Sequence, residues 1–220
     1  ILVTQGGIGK PIDEVALNQA LFEKEGVEII GVILNKVLEE KMDRVREFAG
    51  KGLKRRGLKL LGVIPHQAML ESPTMDLILE ETSADILNDS GGMHRRVETI
   101  VVAAMEVNHA MTYFREGALI ITPSDREDII RAQASRLGES GIHQLAGMVL
   151  TGKFDLSSES LRIIREMPFP VLHSRENSYE IASKVHDLVV KTKPGDTEKI
   201  NLIRDLYAEH LDIDEILNCI

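Results

Sequence analysis

The chain has a single cysteine and no tryptophan among its 220 residues. One thiol, Cys219, can close no internal disulfide and has no second cysteine with which to hold zinc, so a disulfide scaffold and cysteine-based metal or redox chemistry are excluded. Aromatic side chains are few, three Tyr and five Phe, which argues against a platform on which successive nucleic-acid bases stack. Positive charge is short as well: 26 Lys and Arg against 35 Asp and Glu leave a net charge of −9, which opposes nonspecific binding to nucleic acid or an anionic membrane. No apolar run approaches the roughly 18 residues of a membrane span, and no leader pattern is read at the start, so a cytoplasmic protein without membrane contact is expected. The seven histidines, at 66, 94, 109, 143, 173, 186 and 210, are dispersed with no H-x-x-x-H spacing. They support neither a metal site nor a Ser-His-Asp triad, and no catalytic residue is assigned. An initiating methionine is also missing; a chain that opens inside a strand at Ile1 is expected to be a fragment of a longer protein.

What is present is a globular composition, 43% hydrophobic and 28% charged, patterned as short β-branched runs alternating with helical periodicity. That alternation predicts parallel sheets covered by helices. In the first third, strands are expected at 1–4, 28–35 ("EIIGVILN") and 59–65 ("KLLGVIP"), with helices between them. The stretch Lys36 to Lys59 holds nine Lys/Arg against four Asp/Glu. It reads first as a solvated helix laced with i,i+4 ion pairs, and secondly as an anion-attracting edge.

The opening "TQGGIGKP" imitates a phosphate-binding P-loop but fails the spacing G-x-x-x-x-G-K-[ST] twice. Thr4 stands where the first glycine belongs, and Pro11 where a Ser or Thr would hold magnesium. It is a strand-to-helix turn instead: Pro11 suits the first helical turn, Asp13 and Glu14 complement the helix dipole, and Gly26 closes the helix. Gly6, Gly7 and Gly9 read primarily as backbone permissiveness.

A helix from Pro73, capped by Ser72, is expected to run into the polar cluster Asn88-Asp89-Ser90-Gly91-Gly92, read as a linker. A second domain follows, with strands at 98–104, 118–123, 145–151 and 170–173 and helices near 106–116, 125–138, 157–167 and 178–190. Ser124 with Glu127 and Asn177 with Glu180 have the spacing of capping boxes. From Pro194 an amphipathic helix with Ile200, Ile203, Leu206 and Tyr207 on one face precedes a short helix begun by Asp212 with Glu215. The fold class expected is α/β: two Rossmann-like α/β/α units with mainly parallel sheets, the first incomplete, plus a helical C-terminal tail. The domains are placed at 1–88, 93–195 and 196–220.

Asp125-Arg126 in "ALIITPSDREDII" and Thr151-Gly152 in "LAGMVLTGKF" lie at the ends of successive strands. Here the second domain resembles the DRTGG domain, named for an Asp-Arg pair and a later Thr-Gly-Gly. Lys153 departs from the pattern by replacing the second glycine, as does "VVAAM" where Gly-Ala-Met is typical. The first third, through "GGIGKPIDEVALN" and "GVILNKV", resembles the C-terminal half of the P-loop domain of dethiobiotin synthetases and cobyrinic acid a,c-diamide synthases. The version it resembles is fused to DRTGG domains at the N-terminus of long phosphate acetyltransferases. The resemblance implies that the phosphate loop and magnesium carboxylate lie upstream, that Asn35 falls where that group reads an adenine edge, and that Pro65 flanks it.

The candidate nucleotide-binding residues of the first domain are therefore Asn35, Lys36, Pro65, Gly6 and Gly7. An asparagine offers the donor and acceptor an adenine edge requires, but Asn35-Lys36 also reads as a plain strand terminus. The candidate ligand-binding residues of the second domain are Asp125, Arg126, Thr151, Gly152 and Lys153, at the sheet's carboxyl edge, with a plain helix start and a pairing of Arg126 with Glu159 or another surface acid as the structural alternative, and with Asp125 expected to orient Arg126 or accept a ribose hydroxyl. The function expected is a noncatalytic regulatory module that senses a nucleotide or phosphorylated metabolite, linked to phosphate acetyltransferase-type metabolism and homo-oligomeric. The alternative is an ATP-dependent ligase or amide synthase of the dethiobiotin/cobyrinate type, for which ATP and magnesium would need the upstream half. Phosphate acetyltransferase activity itself would need a further domain.

Overall fold

The computed structural model describes residues 1–88, 90–137 and 145–218, apart from the side chain of Glu215. Cys219, Asp89, Gly138, His143 and the side chain of Glu215, each named above, lie outside the described residues. In chain order the elements are β1 (Leu2–Gln5), α1 (Lys10–Lys24), β2 (Val32–Val37), α2 (Met42–Arg55), β3 (Leu60–Pro65), α3 (Ala68–Glu71), α4 (Met75–Thr82), β4 (Asp85–Ile86), β5 (Thr99–Val102), α5 (Val107–Ala110), β6 (Ala118–Pro123), α6 (Glu127–Ser135), β7 (Gly147–Thr151), α7 (Ser158–Arg165), β8 (Val171–Ser174), α8 (Ser178–His186), α9 (Thr197–His210) and α10 (Ile213–Leu217). The chain divides into two units, one made of residues 1–70 with 192–220 and the other of residues 71–191. Among the described residues, no helix is long and apolar enough to cross a membrane.

In the first unit three parallel strands lie in the order β1-β2-β3. Both faces of β2 are buried over Val32, Ile33 and Leu34, which is why that part reads as an apolar run. Val32 and Leu34 pack with Val45, Ala49 and Leu53 of α2; Ile33 packs with Leu61, Ile64 and Leu206 of α9. Helix α1 starts as its residues dictate, from Gly9 at φ 106° with Pro11 in the first turn. Val3 on β1 and Leu17 and Leu21 on α1 are exposed. Helix α2 carries an i,i+4 ion pair of the kind expected of the basic stretch, Lys51–Glu47 at 2.6 Å, and an i,i+3 pair, Arg46–Asp43 at 3.8 Å.

The second unit is a five-stranded sheet in the order β4-β8-β7-β6-β5, with β5 to β8 parallel and β4 antiparallel. Alternate residues of β6 feed two apolar layers, Ile120 toward Met148 and Val171, and Leu119 and Ile121 toward Val149 and Leu172.

The division falls elsewhere than the sequence suggests. Residues 71–88, expected in the first domain, belong to the second unit: Met75 and Ile78 are buried in its core, and β4 pairs with β8. Asn88, read as the start of a linker, is buried, and its carboxamide bonds the backbone of Met167, Phe169 and Val171. A residue that punctuates the sequence here bonds the backbone leading into β8. The tail, expected to stand alone from 196, folds with the first unit, and of its expected apolar face Leu206 is buried whereas Tyr207 is exposed.

Caps differ too. Thr74, not Ser72, caps α4 by accepting from the Leu77 N–H at 3.3 Å. Ser124 caps nothing; its hydroxyl donates to the Phe154 carbonyl, and α6 begins three residues later at Glu127. The Asn177–Glu180 capping box is complete.

Candidate functional site

Each unit presents a carboxyl edge where parallel strands end side by side, the place where α/β sheets bind ligands. In the first unit Gln5 pairs with Asn35 and Val37 with Pro65, so Gly6, Asn35, Lys36 and Pro65 share one edge. The Gly6 N–H donates to the Asn35 carbonyl at 2.6 Å. A Cβ on Gly6 would overlap the Val37 side chain and come within 3.2 Å of that carbonyl oxygen, so only glycine fits. Gly7 abuts the Pro11 ring. Lys36 is left-handed, φ 58°, within a register shift of β2, and its N–H is held by Asn35 Oδ1 at 2.9 Å. A non-glycine residue in that conformation costs about 1–2 kcal/mol, and such strain concentrates at functional sites. Asn35 is half-buried, with its carboxamide oxygen engaged by the Lys36 N–H.

In the second unit Pro123 pairs with Thr151 and Thr151 with Ser174, which brings together the loops that follow β6, β7 and β8. Arg126 is bound in a fork to Asp128, Nε to Oδ1 and Nη2 to Oδ2 both at 2.9 Å, and Nη2 also donates to the Met105 carbonyl at 3.1 Å. The acid that pairs with Arg126 is therefore Asp128, another surface acid as the structural alternative allowed, rather than Glu159, which meets Arg131 at 3.5 Å, or Asp125. Thr151 is buried, its hydroxyl 2.7 Å from that of Ser178. Gly152, at φ 97°, donates its N–H to the Glu176 carbonyl at 2.8 Å, and its own carbonyl meets His173 Nε2 at 3.1 Å. Asp125 and Lys153 are exposed. The spacing G-x-x-x-x-G-K does occur at Gly147 to Lys153, but the intervening residues are strand β7 itself, and Phe154 stands where Ser or Thr would hold magnesium.

Helix starts at this edge are largely satisfied from within. Ser157 accepts from the Ser160 N–H, and Asn177 from the N–H groups of Tyr179 and Glu180. Of the three helices that follow β6, β7 and β8, α6 alone starts without a side-chain cap. Sequence reasoning named the Asp-Arg and Thr-Gly pairs but missed Asp128, Ser178 and the Met105 carbonyl, whose roles appear only when three strand ends are placed together.

Two carboxylates on this edge are held below the ordinary range. Asp128 is lowered first by the Arg126 hydrogen bond, and Glu127 first by the Ser157 hydroxyl and then by its N–H. A depressed carboxylate stabilises the fold above its unfolded pKa, about 4, and loses that contribution as pH falls through the lower folded value. The second unit is therefore expected to weaken on acidification below about pH 4. In urea titrations across that window, an Asp128→Asn, Glu127→Gln variant should show a shallower acid decline than the parent. Parallel declines would refute the assignment.

Two α/β units, each with a mainly parallel sheet and with glycine-bearing polar strand ends at its own carboxyl edge, define a protein of the Rossmann-like α/β class. The chain belongs to the DRTGG domain family, whose model matches residues 77–188. Residues 1–74 match the model of an AAA domain, the dethiobiotin synthetase-like P-loop type. Among curated proteins it is similar to the phosphate acetyltransferase of Nitratidesulfovibrio vulgaris, 27% identical over 89% of this chain and 29% of that one. It is also similar to that of Pseudomonas putida, 33% identical over 84% of this chain and 27% of that one. The chain thus spans under a third of the length of these relatives. A solved structure, the CBS and DRTGG domains of the regulatory region of Clostridium perfringens pyrophosphatase complexed with the activator diadenosine tetraphosphate, overlaps at a TM-score of 0.44 and 16% identity, covering 80% of this chain and 86% of that one. That overlap is too loose to assign anything.

Proposed function

We propose that this chain is a noncatalytic regulatory module that binds an anionic small molecule, a nucleotide or another phosphorylated metabolite, and that it serves phosphate acetyltransferase-type metabolism as part of a homo-oligomer. The observation that carries the reading is the placement of Arg126 and Lys153 on loops after adjoining strands β6 and β7, in a chain whose net charge is −9. Fixed positive charge at a carboxyl edge attracts phosphate oxygens, and Arg126, already aimed by Asp128, spends little further entropy to do so. In the first unit, the strained Lys36 beside Asn35 supplies a second candidate position for a base edge.

Thermal-shift titration with AMP, ATP, NADH and acetyl phosphate tests the proposal. At least one should raise the melting temperature of the parent chain, and Lys153→Ala or Arg126→Ala should weaken its binding by about tenfold to a hundredfold. Because Arg126 also holds Asp128 and the Met105 carbonyl, the exposed Lys153 is the decisive position. A ligand bound equally well by the parent and by Lys153→Ala would overturn the reading.

A further inference from the structure

Of the chain's eight aromatic residues, Phe154 stands on the loop after β7 and Tyr179 in the first turn of α8, which follows the adjoining loop after β8, with 55% and 79% of their surface exposed. The two loops are stitched together. Thr151 pairs with Ser174, the Gly152 N–H bonds the Glu176 carbonyl at 2.8 Å, and His173 Nε2 meets the Gly152 carbonyl at 3.1 Å. Phe154 folds back against its own loop, its ring so close to Gly152 that a Cβ there would sit 3.1 Å from it. The backbone of Tyr179 is pinned by the Asn177 side chain at 3.0 Å. The loops after β7 and β8 also carry two exposed cations, Lys153 and Arg175.

We infer that these four residues form one subsite for a ligand that joins a planar ring to phosphate, and so that the module binds a nucleotide rather than a simple acyl or inorganic phosphate. The inference rests on the proposed phosphate-binding role of this edge and narrows it. Rings held on a fixed backbone lose little freedom on stacking, so Phe154 and Tyr179 receive the base. Lys153 and Arg175 face the phosphates, because Asn177 already occupies the first N–H groups of α8. Arg175, Phe154 and Tyr179 have no signal in the sequence, where the first two are lone loop residues and Tyr179 is one more residue of an expected helix.

Calorimetry on the whole chain, with ATP, GTP, NADH and inorganic tripolyphosphate as probes, separates the possibilities. The expected result is that a nucleotide binds more tightly than tripolyphosphate, and that Tyr179→Ala and Phe154→Leu each weaken the nucleotide about fivefold to a hundredfold while leaving tripolyphosphate unchanged. Tyr179 is mostly in water, so its replacement leaves the fold intact, which circular dichroism verifies. If nucleotide and tripolyphosphate bind alike and both aromatic variants match the parent, the nucleotide subsite is refuted while phosphate binding stands. If no probe binds, both fall.

Discussion

Asn88→Ala is expected to destabilise the second unit by about 3–5 kcal/mol, since each buried polar group left unpaired costs about 1–3 kcal/mol. The Asn88 amide donates to the carbonyls of Met167 and Phe169 at 3.1 and 3.0 Å, and its oxygen accepts from the Val171 N–H at 2.8 Å. All three partner residues are buried. Water cannot replace the lost amide there, so three backbone groups go unsatisfied at the start of β8, next to the short antiparallel β4. Asn88→Asp should be nearly as damaging, because a carboxylate has no N–H to offer two carbonyls. Urea unfolding followed by far-ultraviolet circular dichroism reads the effect. A loss below about 1 kcal/mol for Asn88→Ala would show that these bonds are dispensable.

Ending the chain at Lys191 should have an effect of comparable or greater size on the first unit. Removing α9 takes away Leu206 and uncovers Ile33, Leu61 and Ile64, all buried beneath it. At about 1.5–3 kcal/mol per buried side chain, the sum rivals the entire stability of a small unit. Two backbone features show how closely the tail is fitted. Gly62 bridges Leu211, and a Cβ on Gly62 would overlap the Leu211 side chain and lie 2.6 Å from the His210 carbonyl oxygen. Hydrogen exchange resolved by residue should find β2 amides unprotected in the shortened chain while β6 and β7 keep their protection. Protected β2 amides in that chain would refute the dependence.

Much of this architecture was legible in the sequence where burial is two-sided. β6 matches its expected span residue for residue, because an apolar run closed by Gly117, at φ 73°, and Pro123 leaves no other reading. The turn after β1 was equally plain, since a proline one residue into a helix and a glycine before it point one way. Reading failed where a polar side chain acts at a distance. Asn88 has the composition of a turn residue, and its partners lie 79 to 83 positions away. Ser124 with Glu127 satisfies the spacing of a capping box, yet Glu127 accepts instead from the Ser157 N–H, 30 positions on. The candidate site was legible as pairs, Asp125-Arg126 and Thr151-Gly152, through their resemblance to the DRTGG motif just after and at the ends of successive strands. Its wiring was not, because the Arg126–Asp128 fork and the Thr151–Ser178 contact form only once α6 and α8 begin where they do.

The first unit is discontinuous, built from residues 1–70 and 192–220 with the second unit intervening. A ribosome adds roughly 5–20 residues per second, so the 121-residue interval from Glu71 to Lys191 delays the closing helix by several seconds. During that time the second unit has its whole sequence and can finish, while β2 and β3 wait with one face wet. The nascent first unit is thus the species that a chaperone or a neighbouring chain would meet, and its hazard lies in the timing of synthesis as well as in the finished fold.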